Sequence, residues 1–190
     1  MRQFRTALLV TVLLTLLTGL VYPLVITAIA QLAWRRSANG SLLHAQGRIV
    51  GSELIGQAFT APGYFQPRPS SPNYDAAGSA GSNFGPSNPE FIRQVQERIA
   101  RVRSENGLSE SAPVPADLVL SSASGLDPDI SLDAAQVQVS RICRVRGLDS
   151  ASVRQFILRQ VRPSFLGVFG PSRVNVLKLN LALDSMTQSE

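Results

Sequence analysis

The sequence predicts an α+β protein with one N-terminal transmembrane helix, followed by a mixed α+β soluble domain with about three helices and a small sheet. Three observations support this fold class: an uncharged apolar run near the N-terminus, three stretches with helical periodicity, and short apolar segments bounded by glycine or proline. We place the boundary after residue 36. Residues 1–36 are then the N-terminus and membrane helix, and residues 37–190 form the soluble domain.

Residues 6–34 contain no charged side chain. An α-helix of that length measures about 43 Å, which exceeds the roughly 30 Å of bilayer hydrocarbon. We expect Pro23 to kink this helix. The alternative is a cleavable signal peptide ending near Ala30, but the apolar core of a signal peptide is only about 7–15 residues long. Two arginines stand on each side of the run, so charge does not determine the orientation.

Small and hydroxyl side chains recur along the apolar run. Thr15, Gly19 and Pro23 follow one another at intervals of one helical turn, and small residues permit the close approach of a second helix. We interpret these three residues as the face that packs against a partner subunit. The simpler alternative is that they face lipid.

The charge balance argues against nucleic acid as a partner. The chain has 18 basic and 13 acidic residues and a pI near 10.3. Four of the arginines flank the membrane helix, which leaves 14 basic residues against all 13 acidic ones in the rest of the chain. A nucleic-acid-binding domain carries a concentrated basic face. The ten arginines of the predicted helices are best explained mainly as solvated side chains.

The first half of the soluble domain begins with a predicted strand or two within residues 48–59, interrupted by glycine. Residues 62–89 are rich in Gly, Pro, Ser and Asn but contain four aromatic residues, which argues against simple disorder and favours a binding loop. A helix follows, with Asn88 as its N-cap, Pro89 at its first position and Gly107 after its end.

The second half alternates helices with short strands. Residues 117–120 are a candidate strand. Ser131 caps a second helix that ends before Gly147, and Asp149 caps a third helix that stops before Pro163. Residues 173–179 alternate like a half-buried strand, and residues 180–184 are expected to turn into a closing helix.

The sequence contains no evident catalytic constellation. The single lysine, Lys178, lies outside any phosphate-binding GxxxxGK motif. The single histidine, His44, follows the membrane helix and is expected to be solvated, and Cys143 lies on a helical stripe and is expected to be a buried thiol. Asp127 and Asp129 lie in a proline turn, where turn hydrogen bonding explains both. We therefore predict no catalytic residue and no metal site.

Six segments resemble the C subunit of the bacterial Kdp potassium-transporting P-type ATPase, and together they cover nearly the whole chain in order. They are TGLVYPLVITAIAQ (18–31), ANGSL (38–42), GSELIGQAFTAPGYFQPRPS (51–70), GSNFGPSNPE (81–90), VPADLVLSSASGLDPDIS (114–131) and RVNVLKLNLALD (173–184). The chain departs from the family at Asp129, where histidine is common, at Leu132, where proline is common, and at residues 171–172, where Glu-Pro is expected.

This resemblance implies an accessory role. In such complexes a pore subunit moves potassium and a P-type ATPase subunit hydrolyses ATP through an aspartyl-phosphate. The C subunit is required for assembly and is described as raising the ATP affinity of the ATPase subunit. The phosphorylation motif DKTGT is absent from this chain. The family's soluble domain is usually extracytoplasmic, at the bacterial inner membrane, which implies a cytoplasmic N-terminus for residues 1–36.

The resemblance also gives a cofactor expectation. ATP would be bound jointly with, or through, the ATPase subunit. If this chain touches ATP directly, the first loops to test are the two turns that contain Gly81, Ser82, Asn83, Ser122, Ser124 and Gly125. For the first of these turns, a purely structural role is the favoured alternative. The rival interpretation of the whole chain is a stand-alone, membrane-anchored extracytoplasmic binding protein with residues 62–89 as its ligand site.

Overall fold

The computed structural model describes residues 1–187 and divides into two compact units, Met1–Leu43 and His44–Glu190. The first unit is almost entirely helical. The second contains further helices and a small antiparallel sheet. The predicted α+β class is confirmed, and residues 1–187 contain one candidate membrane span, as predicted.

The first unit is dominated by one long apolar helix, Arg2–Ala33, in which the most apolar 18-residue window has a mean hydropathy of 2.4 and no side chain is buried. It consists of α1 (Arg2–Leu16), a π-helical turn (Leu17–Val21) and α2 (Tyr22–Ala33). The backbone N–H of Tyr22 donates to Leu17 O, five residues earlier. Pro23 has no N–H of its own and crowds the preceding turn, so the helix widens there and continues. A short helix, α3 (Arg35–Ala38), follows.

Two short strands follow, β1 (Leu42–Ala45) and β2 (Arg48–Ser52), and they pair as a hairpin. Its turn residues, Gln46 and Gly47, both have positive φ, as the favoured two-residue hairpin turn requires. The strand predicted within residues 48–59 is therefore limited to β2, and β1 was missed.

The helix predicted after Asn88 is confirmed as α4 (Pro89–Asn106). The Asn88 side chain accepts hydrogen bonds from the backbone of Glu90 and Phe91, and Gly107 ends the helix in the left-handed conformation. The third predicted helix is likewise confirmed as α7 (Ser150–Gln160), capped by Asp149.

The second predicted helix is in fact two, α5 (Leu132–Val137) and α6 (Val139–Arg146), separated at Gln138. The predicted strand over residues 117–120 is wrong. The chain there makes a 3-10 turn, Ala116–Leu118, and the Asp117 carboxylate accepts hydrogen bonds from the backbone N–H and the hydroxyl of Ser131.

The predicted strand over residues 173–179 is also too long. Strand β4 (Arg173–Asn175) pairs antiparallel with β3 (Asp129–Ser131) and then stops. The Asn175 side chain accepts a hydrogen bond from the Lys178 backbone, so it caps α8 (Val176–Thr187), which begins earlier than the predicted closing helix.

The core of the second unit lies between its helices and the β3–β4 pair. Its largest fully buried apolar side chains come from six different parts of the chain: Phe65, Ile130, Val139, Ile142, Val153, Ile157, Val174, Leu179 and Leu183. Each such side chain contributes roughly 1.5–3 kcal/mol when it leaves water. Phe65 belongs to the long loop, residues 62–89, so the core fixes that loop in place.

Candidate functional site

Two buried side-chain amides hold the long loop by its backbone. Asn180, on α8, accepts from the Phe65 N–H at 2.8 Å and donates to the Phe65 carbonyl at 2.9 Å. Gln138, in the break between α5 and α6, makes the same pair of bonds with Gln66, at 2.7 and 3.1 Å. Each amide therefore replaces one neighbouring strand, because it satisfies both backbone groups of a residue that has no sheet partner.

Arg141 adds a buried cation to this arrangement and is only 3% exposed. Its guanidinium donates to the carbonyls of Tyr64 and Pro62, and to the side-chain oxygens of Gln138 and Asn106. These partners are all neutral. Burial lowers the pKa of Arg141 from its ordinary value. We call Gln138, Arg141 and Asn180 the loop clamp.

Arg146 extends the clamp towards the surface. Its guanidinium carbon lies 4.6 Å from the centre of the Tyr64 ring, its Nε donates to Gly63 O, and it pairs with Asp184 at 2.7 Å. The Tyr64 hydroxyl donates to the other Asp184 oxygen at 3.0 Å. The segment GYFQ is thus held by α6 and α8 through hydrogen bonds, an ion pair and a cation–π contact.

The next part of the loop is held by an ion pair and a half-buried tyrosine. Arg68 pairs with Asp127 at 2.9 Å, and the other Asp127 oxygen accepts from the Asp129 N–H, as expected for a turn aspartate. The Tyr74 hydroxyl donates to Arg68 O at 2.6 Å, and its backbone N–H donates to Ser70. Burial raises the pKa of Tyr74 to about 12.

The structure brings the two predicted nucleotide loops together. Ala80 N–H and the Ser79 hydroxyl both donate to Ser124 O, at 3.0 and 3.1 Å. The packing is close, since a Cβ added at Gly81 would lie 3.0 Å from Ala123 O.

Gly125 is the tightest point of this contact. It has φ +67°, and an added Cβ would lie 2.3 Å from Pro72 Cδ and 2.7 Å from Ala80 O. Glycine is required there both by its conformation and by the space available.

Several polar groups of these turns are already used within the domain. Asn83 donates to Gly81 O, the Ser124 hydroxyl accepts from Leu126 N–H, and the Gly125 N–H donates to Ser122 O. Arg68 lines the same surface depression as Ser122 and Ser124, but Asp127 balances its charge. Direct contact of ATP with these turns stays a prediction, and the geometry suits a structural contact between two loops.

The remaining candidates lie apart from these loops. His44 is an exposed residue of β1, and Cys143 is half-buried on α6, where burial raises the pKa of its thiol. Thr15, Gly19 and Pro23 are exposed on the long helix, with Gly19 inside the π-helical turn. Among residues 1–187, no group of three or more His, Cys, Asp or Glu side chains is arranged to hold a metal ion.

Sequence reasoning missed the loop clamp. The arginines of the predicted helices were interpreted mainly as solvated, yet Arg141 is buried and Arg146 is largely covered. A signal was present: Gln138 and Arg141 lie three residues apart on the inward side of the second predicted helix, next to Val139 and Ile142. Polar residues on an inward face indicate buried partners.

Comparison with known proteins gives the family. The sequence profile described as "K+-transporting ATPase, c chain" matches residues 4–185. The chain is 48% identical over 185 residues to the potassium-transporting ATPase KdpC subunit of Cereibacter sphaeroides, covering 97% of this chain and 98% of that protein. It is 47% identical to the KdpC subunit of Geobacter sulfurreducens, covering 98% and 99%. The same identity holds for the KdpC subunit of Gemmatimonas aurantiaca, covering 98% and 94%.

The match extends from the apolar helix through the clamped loop to α8, so it includes the residues that hold the domain together. The chain therefore belongs to the KdpC family, the c-chain subunits of the potassium-transporting ATPase.

Proposed function

We propose that this chain is a non-catalytic accessory subunit of an ATP-driven potassium importer. It supports assembly of the complex and raises the ATP affinity of the ATPase subunit, so that ATP is bound jointly with, or through, that subunit. The observation that carries the proposal is the family match over residues 4–185. The partners are the potassium-pore subunit and the P-type ATPase subunit of the same complex, together with the bilayer.

The hydrogen bonds of the loop clamp support the proposal that this subunit acts by binding its partner subunits and not through chemistry of its own. Gln138, Arg141 and Asn180 direct most of their hydrogen bonds at the backbone of residues 62–66. These bonds fix the shape of a long loop that would otherwise be mobile. A fixed surface loses little conformational entropy when it binds a partner, which favours a stable complex.

The effect on ATP follows from linkage. The N-terminus lies in the cytoplasm and the soluble domain outside the inner membrane, whereas the ATPase subunit binds ATP on the cytoplasmic side. A subunit that binds one conformational state of the pump more tightly shifts the population towards that state. A coupling of about 1–3 kcal/mol changes the affinity at a distant site by roughly 5–150-fold.

The apolar helix supplies the contact inside the membrane. Thr15, Gly19 and Pro23 form the packing face, and the open space around Gly19 lets another helix approach its backbone. Replacing Thr15 and Gly19 by leucine should lower the yield of the complex, because the added bulk separates the two helices. Ala28→Leu adds similar bulk off this stripe and serves as the matched control.

The test is a purification of the pore and ATPase subunits with and without this chain. We expect a lower yield of intact complex without it, and a several-fold higher KM for ATP in the potassium-stimulated ATPase reaction. An unchanged yield together with an unchanged KM would overturn the proposal. Substitution of Ser124 or Gly81 distinguishes direct contact with ATP from linkage. If the effect is linkage, the KM for ATP changes only when the yield of the complex or the fold of this chain also changes.

Orientation is tested separately. Ser140 is exposed on α6, so a Ser140→Cys variant in a Cys143→Ala background presents a single thiol on the domain surface. A membrane-impermeant maleimide added outside intact spheroplasts should label it. Labelling only after the cells are opened would place the domain in the cytoplasm and make direct contact with ATP possible.

A further inference from the structure

Residues 163–170, between α7 and β4, form a small hairpin with four large apolar side chains on its outside. Phe165, Leu166, Val168 and Phe169 are between 64 and 80% exposed, and we call these four residues the apolar tip. The rings of Phe165 and Phe169 lie 6.4 Å apart. A contiguous exposed apolar cluster of this kind marks an interaction site on a soluble domain.

The backbone of the hairpin satisfies much of its own hydrogen bonding. Phe165 and Phe169 exchange two N–H to carbonyl bonds, at 3.0 and 2.9 Å, and Val168 N–H also donates to Phe165 O. Gly167 N–H donates to Ser164 O. A segment whose amides are paired internally can leave water at low cost.

The backbone conformation of the turn also directs the Leu166 side chain towards solvent. Leu166 has φ +53°, an uncommon value for a residue with a bulky side chain. Such strain persists where the surrounding structure holds it, and it is concentrated at functional positions. It keeps the Leu166 side chain 75% exposed at the end of the hairpin.

The sequence on both sides of the hairpin is basic. No acidic residue occurs between Asp149 and Asp184, whereas Arg159, Arg162 and Arg173 stand on either side of the tip. Arg162 and Arg173 lie opposite each other at the base of the hairpin, and their acidic neighbours are Glu53 and Asp129. Lys178 also pairs with Glu53, so three basic side chains share two acidic partners at the base of the hairpin.

A bilayer is always close to this domain. The apolar helix ends at Ala33 and the second unit begins at His44. The intervening chain spans at most about 36 Å when fully extended. The domain therefore stays near the surface of the membrane in which its own helix is embedded.

We propose that the apolar tip inserts into the interfacial layer of that membrane, between the headgroups and the first acyl carbons of anionic lipids. The aromatic and aliphatic side chains enter the apolar layer while the basic groups at the base meet lipid phosphates, the arrangement seen in interfacial membrane segments. The hairpin would then act as a second membrane contact that restricts the rotation of the soluble domain about its tether.

The experiment uses the full-length chain in nanodiscs of phosphatidylcholine with a minority of phosphatidylglycerol. Val168→Cys in the Cys143→Ala background carries an environment-sensitive NBD label at the tip. Ser104→Cys and Ser140→Cys carry it at exposed sites on α4 and α6. We expect blue-shifted emission at residue 168, and a loss of emission with brominated lipids several-fold larger than at residues 104 and 140.

A second substitution separates insertion from general proximity to lipid. Leu166→Asp should return the emission at residue 168 to that of a solvated label, while Val145→Asp, at another exposed apolar position, should leave it unchanged. Equal and weak quenching at all three labelled positions would overturn the proposal. So would a blue shift that appears only when the pore and ATPase subunits are added, because the tip would then bind a protein surface.

Discussion

Asn180→Ala tests whether the loop clamp sets the stability of the soluble domain. The Asn180 side chain is fully buried, and its two hydrogen bonds join α8 to Phe65, which lies far earlier in the sequence. Alanine removes both the donor and the acceptor. It leaves the N–H and carbonyl of Phe65 without partners in a buried environment.

The expected magnitude follows from these two groups. A buried polar group that loses its partner costs about 1–3 kcal/mol, so two such groups lower the free energy of unfolding by about 2–6 kcal/mol. Typical domains are stable by about 5–15 kcal/mol, so this is a large fraction of the total. The loop should open before the domain unfolds, because Phe65 is the only side chain of residues 62–89 in the fully buried core of the described chain.

The assay is urea unfolding of the full-length chain in detergent, followed by far-ultraviolet circular dichroism, with hydrogen exchange at the Phe65 amide as a local measurement. The apolar helix remains folded in the micelle and contributes a constant signal. Gln155→Ala, at an exposed position of α7, is the control. If both variants lose less than about 1 kcal/mol, within the range of ordinary surface substitutions, then the clamp does not stabilise the loop as argued.

Two further predictions concern the loop. Gly125→Ala should destabilise the domain by about 2 kcal/mol or more, because alanine meets Pro72 and adopts a positive φ, whereas Gly85→Ala, with open space around it, should not; urea unfolding compares them. Tyr74 should ionise near pH 12 in an absorbance titration of the tyrosines, and Tyr74→Phe should remove that step. Since burial raises this pKa above the ordinary 10.0, its contribution to stability is present below pH 10 and lost as the pH rises through about 12.

The helices that begin at Asn88 and Asp149 could be predicted because their ends are encoded locally. A capping side chain, a proline at the first helical position or a glycine past the end acts on neighbouring residues, so its effect is readable without the tertiary structure. The observed cap bonds of Asn88 and Asp149 are the ones that those residue types predict.

The prediction of a strand over residues 173–179 was wrong because the sequence RVNVLKL fits both the period of a strand and the period of a helix. The apolar residues alternate with polar ones only at the start of the segment, and the following residues bury one face of a helix. The buried side chains are Val174, Val176 and Leu177. Short apolar runs leave the two periods indistinguishable. The physical cue was Asn175, whose side chain can cap a helix but contributes little to a strand.

The partners of Arg141 could not be predicted, since they are backbone carbonyls contributed by a distant loop. Sequence patterns indicate which side chains face inward, but not which main-chain oxygens they meet. The same limit applies to the two glycine-rich turns: their composition indicates turns, while their mutual contact depends on the tertiary fold. The apolar tip was missed because four apolar residues in a loop normally predict burial.

The chemistry of the clamp explains why a long loop is compatible with an accessory role. Arg141 is held by neutral oxygens, so its bonds do not depend on a carboxylate that acid could protonate. Asn180 and Gln138 are uncharged as well. The bonds that these three side chains make to the loop therefore persist over a wide range of pH. A surface fixed in advance can favour one state of a partner, and that differential binding is what the proposed effect on ATP affinity needs.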